Sequence, residues 1–281
     1  MRVEIRLATP ERLEEVLALP VDAVSFGQEG CWTKLPSRAE LRAAAEAVRG
    51  AGRQAGVVLP AAWQRTAEPI AELGAALAGD GPVSLTVNDP GTLAVLAGTP
   101  AGEAGLCIGL ALSPGRPHAV GPSPRSPSEP AVYEDGFLEE LETFPARVLE
   151  ADAGALVPER PGWRVRRMLD VVPVAWSRSC PTARHHGLPL PGCRSACDTP
   201  LTVTAATRWQ LGHGHRAPVA VADRRHQEVL TVLGNAVYVP APPEAPVFPD
   251  VIIDARFHPP AALAERVTAA RRWSTAAPQE M

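Results

Sequence analysis

The fold is indicated first by residues 21–59, VDAVSFGQEGCWTKLPSRAELRAAAEAVRGAGRQAGVVL, which predict a strand, a helix and a second strand. Strands are expected at 21–27 and 54–59, because both runs are short, apolar and rich in valine. A helix between two such strands is the usual crossover between parallel neighbours. This stretch therefore predicts a parallel sheet covered by helices.

The helix within this stretch has well-defined ends. Ser37 and Glu40 have the spacing of a capping box, in which each side chain hydrogen-bonds to the backbone N–H of the other residue. Gly50 is expected to end the helix. One face is apolar and is formed by Leu41, Ala44, Ala45 and Val48. We expect that face to pack on the sheet.

Strands and helices continue to alternate on both sides of this unit. Further strands are expected at 3–7, 83–88, 106–112, 147–151, 171–176 and 251–255. Further helices are expected from Thr9, with Pro10 as the first helical residue, and at 67–78, 91–96, 135–142 and 260–272. About eight strands with intervening helices predict an α/β fold, a single TIM-like (β/α) barrel that is irregular in its middle third.

The chain length agrees with one domain. A barrel commonly has about 250 residues, so residues 1–281 are expected to form a single barrel domain. Residues 113–130 are crowded with proline and serine and are expected to be a loop insertion, while the proline-rich residues 240–249 form a connector.

Composition excludes several classes of function. A net charge of −4 offers no field that would attract nucleic acid, so nucleic-acid binding is disfavoured. The N-terminus has scattered charges instead of the apolar segment of a signal peptide, and no apolar run reaches the roughly 18 residues of a membrane span. We therefore expect a cytoplasmic protein without a membrane span.

The cysteines are the main clue to function. Cys180, Cys193 and Cys197 lie within eighteen residues, in CPTARHHGLPLPGCRSAC, and Cys31 lies far upstream. In a barrel, Cys31 would follow the second strand and Cys180 a late strand, so both would lie at the rim where barrel enzymes have their active sites. Cys193 and Cys197, at i and i+4, could face one metal from a single helical turn.

Four cysteines of this kind have three interpretations. Four thiolates commonly hold an iron-sulfur cluster. A structural zinc site is the nearest alternative, although such sites typically use two short ligand pairs, and unrelated buried thiols are the third reading. Cys107 lies in the apolar run GLCIGLALS and is interpreted as a buried residue that packs the strand.

Other residue types give little support to a second kind of chemistry. His185 and His186 flank the cysteine run, and His213 and His215 alternate in GHGH, but loop histidines of this kind are commonly solvated. The sequence contains no H-E-x-x-H motif, P-loop, dinucleotide fingerprint or C-x3-C-x2-C triplet.

Four stretches of the chain resemble, in the same order, the U32 peptidase family, and within it the UbiV group. They are VDAVSFGQEGC, SRAELRAAAEAVRGAGRQAGVVL, LTVNDPGTLAVLAG and VPVAWSRSCPTAR. The run CPTAR, the spacing C-x12-C-x3-C and a cysteine just after the second strand look like the four-cysteine signature of that group. The resemblance covers about residues 20–100 and 165–200.

The resemblance implies a barrel-like fold and a 4Fe-4S cluster on Cys31, Cys180, Cys193 and Cys197. It also implies oxygen-independent hydroxylation with a prephenate-type hydroxyl donor, on a quinone precursor as in ubiquinone biosynthesis. Members of this group work as one subunit of a heterodimer with a second U32-type, UbiU-like chain. Because no protease motif or paired nucleophile and base is present, proteolysis is disfavoured despite the family name.

The resemblance also has departures and alternatives. Residues 113–130 and 170–173 differ from the family pattern, which leaves the substrate open. One alternative is a non-catalytic scaffold subunit, whose cluster stabilises a surface that docks a UbiU-like partner. Another is an RNA-base hydroxylase, against which the acidic charge balance counts.

Three residues are candidates for contact with a small-molecule substrate. Arg184, four residues past Cys180, could clamp a carboxylate of the donor, since a guanidinium matches a carboxylate bidentately; a structural surface arginine is the alternative. Glu29 and Asp89 follow the second and fourth strands and are candidates for the catalytic acid or base. A turn at residues 88–91 explains Asp89 equally well.

Overall fold

The structure is a computed structural model. It describes residues 1–62, 66–112, 132–177, 180–188, 193, 197, 199–206, 227–241 and 248–273. Within these residues the strands form two sheets, a closed barrel of eight parallel strands and a separate sheet of four strands. The closed parallel barrel with its helices confirms the predicted α/β, TIM-like fold.

The barrel is built from both ends of the chain. Its strands are β1 (Arg2–Leu7), β2 (Ala23–Gly27), β3 (Gln54–Leu59), β4 (Ser84–Val87), β5 (Leu106–Ile108), β6 (Ala146–Asp152), β7 (Arg164–Met168) and β12 (Asp250–Asp254). The order around the barrel is β1-β12-β7-β6-β5-β4-β3-β2, and parallel pairing of β1 with β2 closes it. All carboxyl ends of these strands therefore face one rim.

The second sheet is inserted between the last two barrel strands and is called the accessory sheet. Its strands are β8 (Val171–Trp176), β9 (Leu201–Ala206), β10 (Gln227–Leu233) and β11 (Ala236–Pro240). They pair antiparallel in the order β8-β11-β10-β9.

The helices follow the predicted pattern closely. They are α1 (Leu13–Leu17), α2 (Arg38–Gly50), α3 (Ala67–Gly79), α4 (Pro90–Ala97), α5 (Pro100–Glu103), α6 (Asp135–Glu142), α7 (Pro181–His185) and α8 (Pro260–Trp273). The capping box before α2 is confirmed, with the Ser37 N–H donating to Glu40 Oε2 at 2.8 Å. The first predicted helix opens as a 3-10 turn at Pro10–Arg12. Of the described helices, none is both long and apolar enough to cross a membrane.

One strand assignment was wrong. Residues 171–176 were expected in the barrel, but they form β8 of the accessory sheet, and the barrel position belongs to the unpredicted β7. Three of the five residues of β7, RVRRM, are arginines, so it lacks the apolar pattern that marks a buried strand. The predicted insertion at 113–130 and most of the predicted connector at 240–249 lie outside the described residues.

The accessory sheet packs on the carboxyl-end rim of the barrel. A cluster of buried apolar side chains joins the two sheets and consists of Leu110, Met168, Val171, Cys197, Leu233, Ala236, Tyr238 and Ile252. The ring of Tyr238 lies edge-on to that of Phe257, with 4.9 Å between their centroids. The accessory sheet thereby holds the chain segments that follow β8 close to the loops that leave the barrel strands.

Asp170 forms the junction between barrel and accessory sheet. Its φ of 71° lies in the left-handed region, which aspartate adopts more readily than most residues. Its carboxylate accepts from Arg266 Nε at 2.6 Å and lies 3.0 Å from His258 Nε2. These contacts tie the start of β8 to α8 and to the loop after β12.

Candidate functional site at the barrel rim

Ion pairs occupy the interior of the barrel, where branched aliphatic side chains are usual. Arg166 on β7 contacts Glu4 and Glu150 through separate Nη atoms, each at 2.7 Å. Arg6 on β1 contacts Glu150 at 2.6 Å and Glu29 at 2.8 Å. Each of these five side chains is at most 2% exposed. We call them the interior ion network.

The interior ion network favours the charged forms of Glu4 and Arg6. Burial opposes ionisation of Glu4, but the guanidinium groups of Arg166, Arg6 and Arg2 outweigh burial and lower its pKa to about 2. Burial likewise opposes the charge of Arg6, and its carboxylate neighbours outweigh burial and raise its pKa. The barrel interior thus depends on complementary charges from several strands.

Cys107 on β5 lies within the same interior. Its thiol is buried, and its Sγ is 2.8 Å from Nη2 of Arg166. Burial raises the pKa of the Cys107 thiol to about 12. The prediction that Cys107 is buried holds, but its surroundings are charged and not apolar.

The interior ion network extends to the rim through Glu29, which follows β2. Arg256, which follows β12, contacts Glu29 at 3.2 Å, pairs with Asp254 and donates to Gln28 Oε1 at 2.7 Å. Burial opposes ionisation of Glu29, yet Arg256 and Arg6 lower its pKa. A carboxylate held by two guanidinium groups is a poor proton acceptor, so the position of Glu29 supports a role in holding its loop.

Asp89, the other predicted acid or base, caps a helix. Its Oδ1 accepts from the Thr92 N–H at 2.8 Å at the start of α4, and its Oδ2 accepts from the Ala62 N–H at 3.0 Å. Both carboxylate oxygens therefore have structural partners, in agreement with the alternative reading of Asp89 as a turn residue.

The four predicted cysteine ligands lie on loops and element ends. Cys31 follows β2, and its Sγ is 3.2 Å from Oγ1 of Thr33. Cys180 caps α7, and its sulfur accepts from the Ala183 N–H at 3.4 Å. Cys197 is buried, whereas Cys193 is half-buried.

These cysteines are neighbours although they come from distant parts of the sequence. Burial raises the pKa of Cys180, the N–H of Ala183 opposes the rise, and the thiols of Cys193 and Cys31 add to it, so both thiols lie within electrostatic range of Cys180. Lys34, three residues after Cys31, has its Nζ 3.8 Å from Sγ of Cys197. Thiols of the early and late segments therefore face the same region of the rim.

As described, the thiols of Cys31, Cys180, Cys193 and Cys197 are not arranged as a closed coordination shell. All five cysteines are free thiols. Among the residues that the structure describes, no three or more His, Cys, Asp or Glu side chains are arranged to hold a metal ion. Residues 194–196 lie outside that described set, and with them the helical turn predicted to join Cys193 and Cys197.

A cavity of about 500 Å³ opens beside the cysteines. Its polar lining includes Gln28, Lys34, Cys197, Thr199, Arg256 and His258. A volume of this size is in the range of small-molecule sites. The lining also includes Glu11 and Arg12, and Cys197 is the one of the four thiols that lines it. Arg256 is paired with Glu29 and Asp254. Arg12 is paired with Glu15, and Lys34 is a further cation of the lining.

Arg184, the predicted donor clamp, is not among the residues that line this cavity. Arg184 and the adjacent His185 and His186 are exposed at the end of α7. His213 and His215 lie outside the described residues. Lys34 and Arg256 were missed by the sequence analysis, because an isolated lysine in a loop and an arginine after a strand carry no motif.

Fold and site together define the class of this protein: a parallel α/β barrel whose carboxyl-end rim carries an accessory sheet and a cavity lined in part by the thiol of Cys197. Among solved structures, the chain is similar to the U32 peptidase Mk0906, with 12% sequence identity and a TM-score of 0.45. That likeness covers 91% of this chain and 92% of the other. No protein-family model and no curated protein matches the chain. A likeness of this degree assigns neither a family nor an activity.

Proposed function

We propose that the chain is an iron-sulfur protein with a 4Fe-4S cluster on Cys31, Cys180, Cys193 and Cys197, acting in oxygen-independent hydroxylation. The observation that carries the proposal is the approach of the Cys31 loop to the late segment, where Nζ of Lys34 lies 3.8 Å from Sγ of Cys197. Four thiolates are the usual ligand set of such a cluster. The sequence resemblance to the UbiV group favours iron over zinc, which four thiolates would also accept.

Lys34 supports a negatively charged centre at this position. Four thiolates concentrate negative charge, and an ammonium about 4 Å away offsets part of it. Lys34 belongs to the loop that carries Cys31 and its Nζ lies beside Cys197, a placement that suits a negatively charged centre held by both segments.

The cavity beside the cysteines is proposed to bind the hydroxyl donor. When bound, the cluster supplies redox chemistry or a holding point for the donor. Lys34 places positive charge in the cavity, which suits a carboxylate such as those of prephenate, the donor implied by the resemblance. Gln28 adds an amide to the same wall and can orient the donor.

We propose that this chain works as one subunit of a heterodimer with a second U32-type chain. The resemblance to the UbiV group supports this arrangement, and a quinone precursor is the proposed acceptor. In the alternative, a scaffold subunit, the cluster would stabilise the docking surface while the partner carried out the reaction.

Anaerobic purification followed by iron and sulfide analysis and an absorption spectrum tests the cluster. Alanine at position 31, 180, 193 or 197 is expected to abolish the chromophore, because each change removes one thiolate ligand. Cys107→Ala is the control and is expected to keep the chromophore, since that thiol contacts Arg166 inside the barrel. Colourless, iron-free wild-type protein would contradict the proposal, and stoichiometric zinc would establish the alternative site.

Arg184→Ala tests the predicted donor clamp, a residue that does not line the cavity. If Arg184 clamps the donor, its loss is expected to lower kcat/KM for the donor about tenfold, the effect of one lost charged hydrogen bond, while the iron content stays unchanged. The assay uses the two-chain complex with prephenate and a quinone precursor. Arg42→Ala, a change of an exposed arginine on α2, is the matched control. Full activity in the Arg184 variant would rule out the clamp, and full activity in Glu29→Ala as well would favour the scaffold.

A further inference from the structure

We propose that the two-residue turn Gly234–Asn235 between β10 and β11 positions the cysteine segments, and that Asn235 sets the Cys31 loop relative to Cys180. We call these two residues the positioning turn. The inference concerns the site on which the proposed function rests, but the contacts that carry it do not depend on what the thiols bind.

The positioning turn has a defined conformation. Leu233 pairs with Ala236 across the hairpin, which leaves Gly234 and Asn235 as its two turn residues. Gly234 has a φ of 62°, a value that favours glycine, and glycine is common at the first position of two-residue hairpin turns. The conformation directs the Asn235 side chain toward the barrel.

Asn235 contacts the loop that carries Cys31. Its Nδ2 donates to the Gly30 carbonyl oxygen at 2.5 Å, one residue before that cysteine. A Cβ atom on Gly30 would overlap the Asn235 amide, so the close approach requires glycine at this position. This hydrogen bond connects the accessory sheet directly to a barrel loop.

The positioning turn also contacts the segments of Cys180 and Cys197. The Asn235 carbonyl accepts from the Ser177 N–H at 2.8 Å, and the Gly234 carbonyl accepts from the Thr182 N–H at 3.3 Å. These two bonds lie on either side of Cys180. A Cβ built on Gly234 would lie 3.7 Å from Sγ of Cys197. One turn thus touches the segments of three of the four cysteines.

The Cys31 loop is held from two sides. On the barrel side, the Glu29 carboxylate pairs with Arg6 and Arg256, and its carbonyl accepts from the Ala61 N–H at 2.7 Å. On the other side, the Asn235 amide holds Gly30. The barrel contacts fix the loop to its own rim, and the Asn235 contact fixes the distance between Cys31 and the later cysteines.

Asn235→Asp tests this role, since it keeps the side-chain shape but replaces the donor by an oxygen that repels the Gly30 carbonyl. The full-length chain is freed of metal with a chelator, reduced, and then oxidised with limiting diamide. Mass spectrometry quantifies the disulfides Cys31–Cys180 and Cys180–Cys193. The first is expected to form at least about fivefold more slowly in the variant, the effect of losing one hydrogen bond. The second is expected to form at the wild-type rate, because both of its cysteines lie on the same side of the lost contact.

Two further variants separate positioning from general destabilisation. Val237→Ala weakens the same hairpin without removing the Asn235 amide, so it is expected to leave both rates unchanged. Gly30→Ala disrupts the same contact from the loop side and is expected to slow Cys31–Cys180 pairing as Asn235→Asp does. It also replaces Asn235→Asp if that variant fails to fold.

The outcomes separate this inference from the proposed function. Equal Cys31–Cys180 rates in folded Asn235→Asp and wild-type protein would overturn the positioning role, whatever the iron analysis shows. Slowing of both disulfides, or equal slowing in Val237→Ala, would also overturn it by indicating a loosened fold. If wild-type protein proves to be iron-free and Asn235→Asp slows only the Cys31–Cys180 disulfide, the positioning role is supported and the cluster is contradicted.

Discussion

Arg6→Met is expected to lower the free energy of unfolding by about 3–5 kcal/mol, because the buried carboxylates Glu150 and Glu29 each lose one of the two cations that they contact. Arg6 is fully buried and contacts both Glu150 and Glu29, neither of which is more than 2% exposed. Methionine fills a similar volume, so the loss is electrostatic and not a cavity effect. Urea denaturation followed by circular dichroism at neutral pH measures the change.

Arg38→Met is the matched control for this prediction. Arg38 also pairs bidentately with a carboxylate, that of Asp80, but its side chain is 53% exposed. Exposed pairs contribute little because water screens both charges. A stability loss in Arg6→Met no larger than in Arg38→Met would show that the interior ion network does not hold the barrel together.

Acidification is expected to remove about 3 kcal/mol of stability through Glu4, whose pKa is lowered from its ordinary 4.5 to about 2 in the folded chain. A lowered folded-state pKa means that the unfolded chain takes up the proton first. The contribution is therefore present above pH 4.5 and is lost as the pH falls toward 2. Urea unfolding at a series of pH values across this range measures the slope.

Glu4→Gln serves as the control, since glutamine has a similar shape and does not titrate. The variant is expected to be less stable at neutral pH, because Arg166 loses a charged partner, and to show a smaller loss on acidification. If both proteins lost stability equally between pH 4.5 and 2, other carboxylates would account for the acid sensitivity, and the assignment to Glu4 would be wrong.

Local sequence patterns predicted the regular parts of the barrel well. The capping box at Ser37 and the apolar face of α2 depend on residues within one or two turns of each other, and both are present. The strands at 54–59 and 171–176 have the predicted bounds. Interactions between near neighbours determine such elements, so the sequence contains the information directly.

Local patterns did not predict which sheet each strand would join. β8 has the apolar run of a barrel strand but pairs with β11, whereas the arginine-rich β7 completes the barrel. In β1, VEIRL alternates apolar and charged residues, which predicts a strand with one polar face. That this face points into the barrel depends on charges from β6 and β7, which lie far along the chain.

The sequence also indicates the hairpin around Gly234–Asn235, which was not among the predicted elements. A Gly-Asn pair between the runs EVLTVL and AVYV is typical of a two-residue hairpin. Its contact with Gly30, 205 residues away, could not be predicted from the sequence, because no local pattern indicates which loop a turn will contact.

The sequence by itself determined the α/β alternation and the capped α2. It also placed cysteines after predicted parallel strands, whose carboxyl ends lie at one rim. These features depend on spacing along the chain. Only the tertiary structure decided that charges fill the barrel, that β8 to β11 form a second sheet, and that Asn235 and Lys34 contact the cysteine segments. Those contacts join residues far apart in the sequence, and their energies depend on burial, which arises only when the barrel closes.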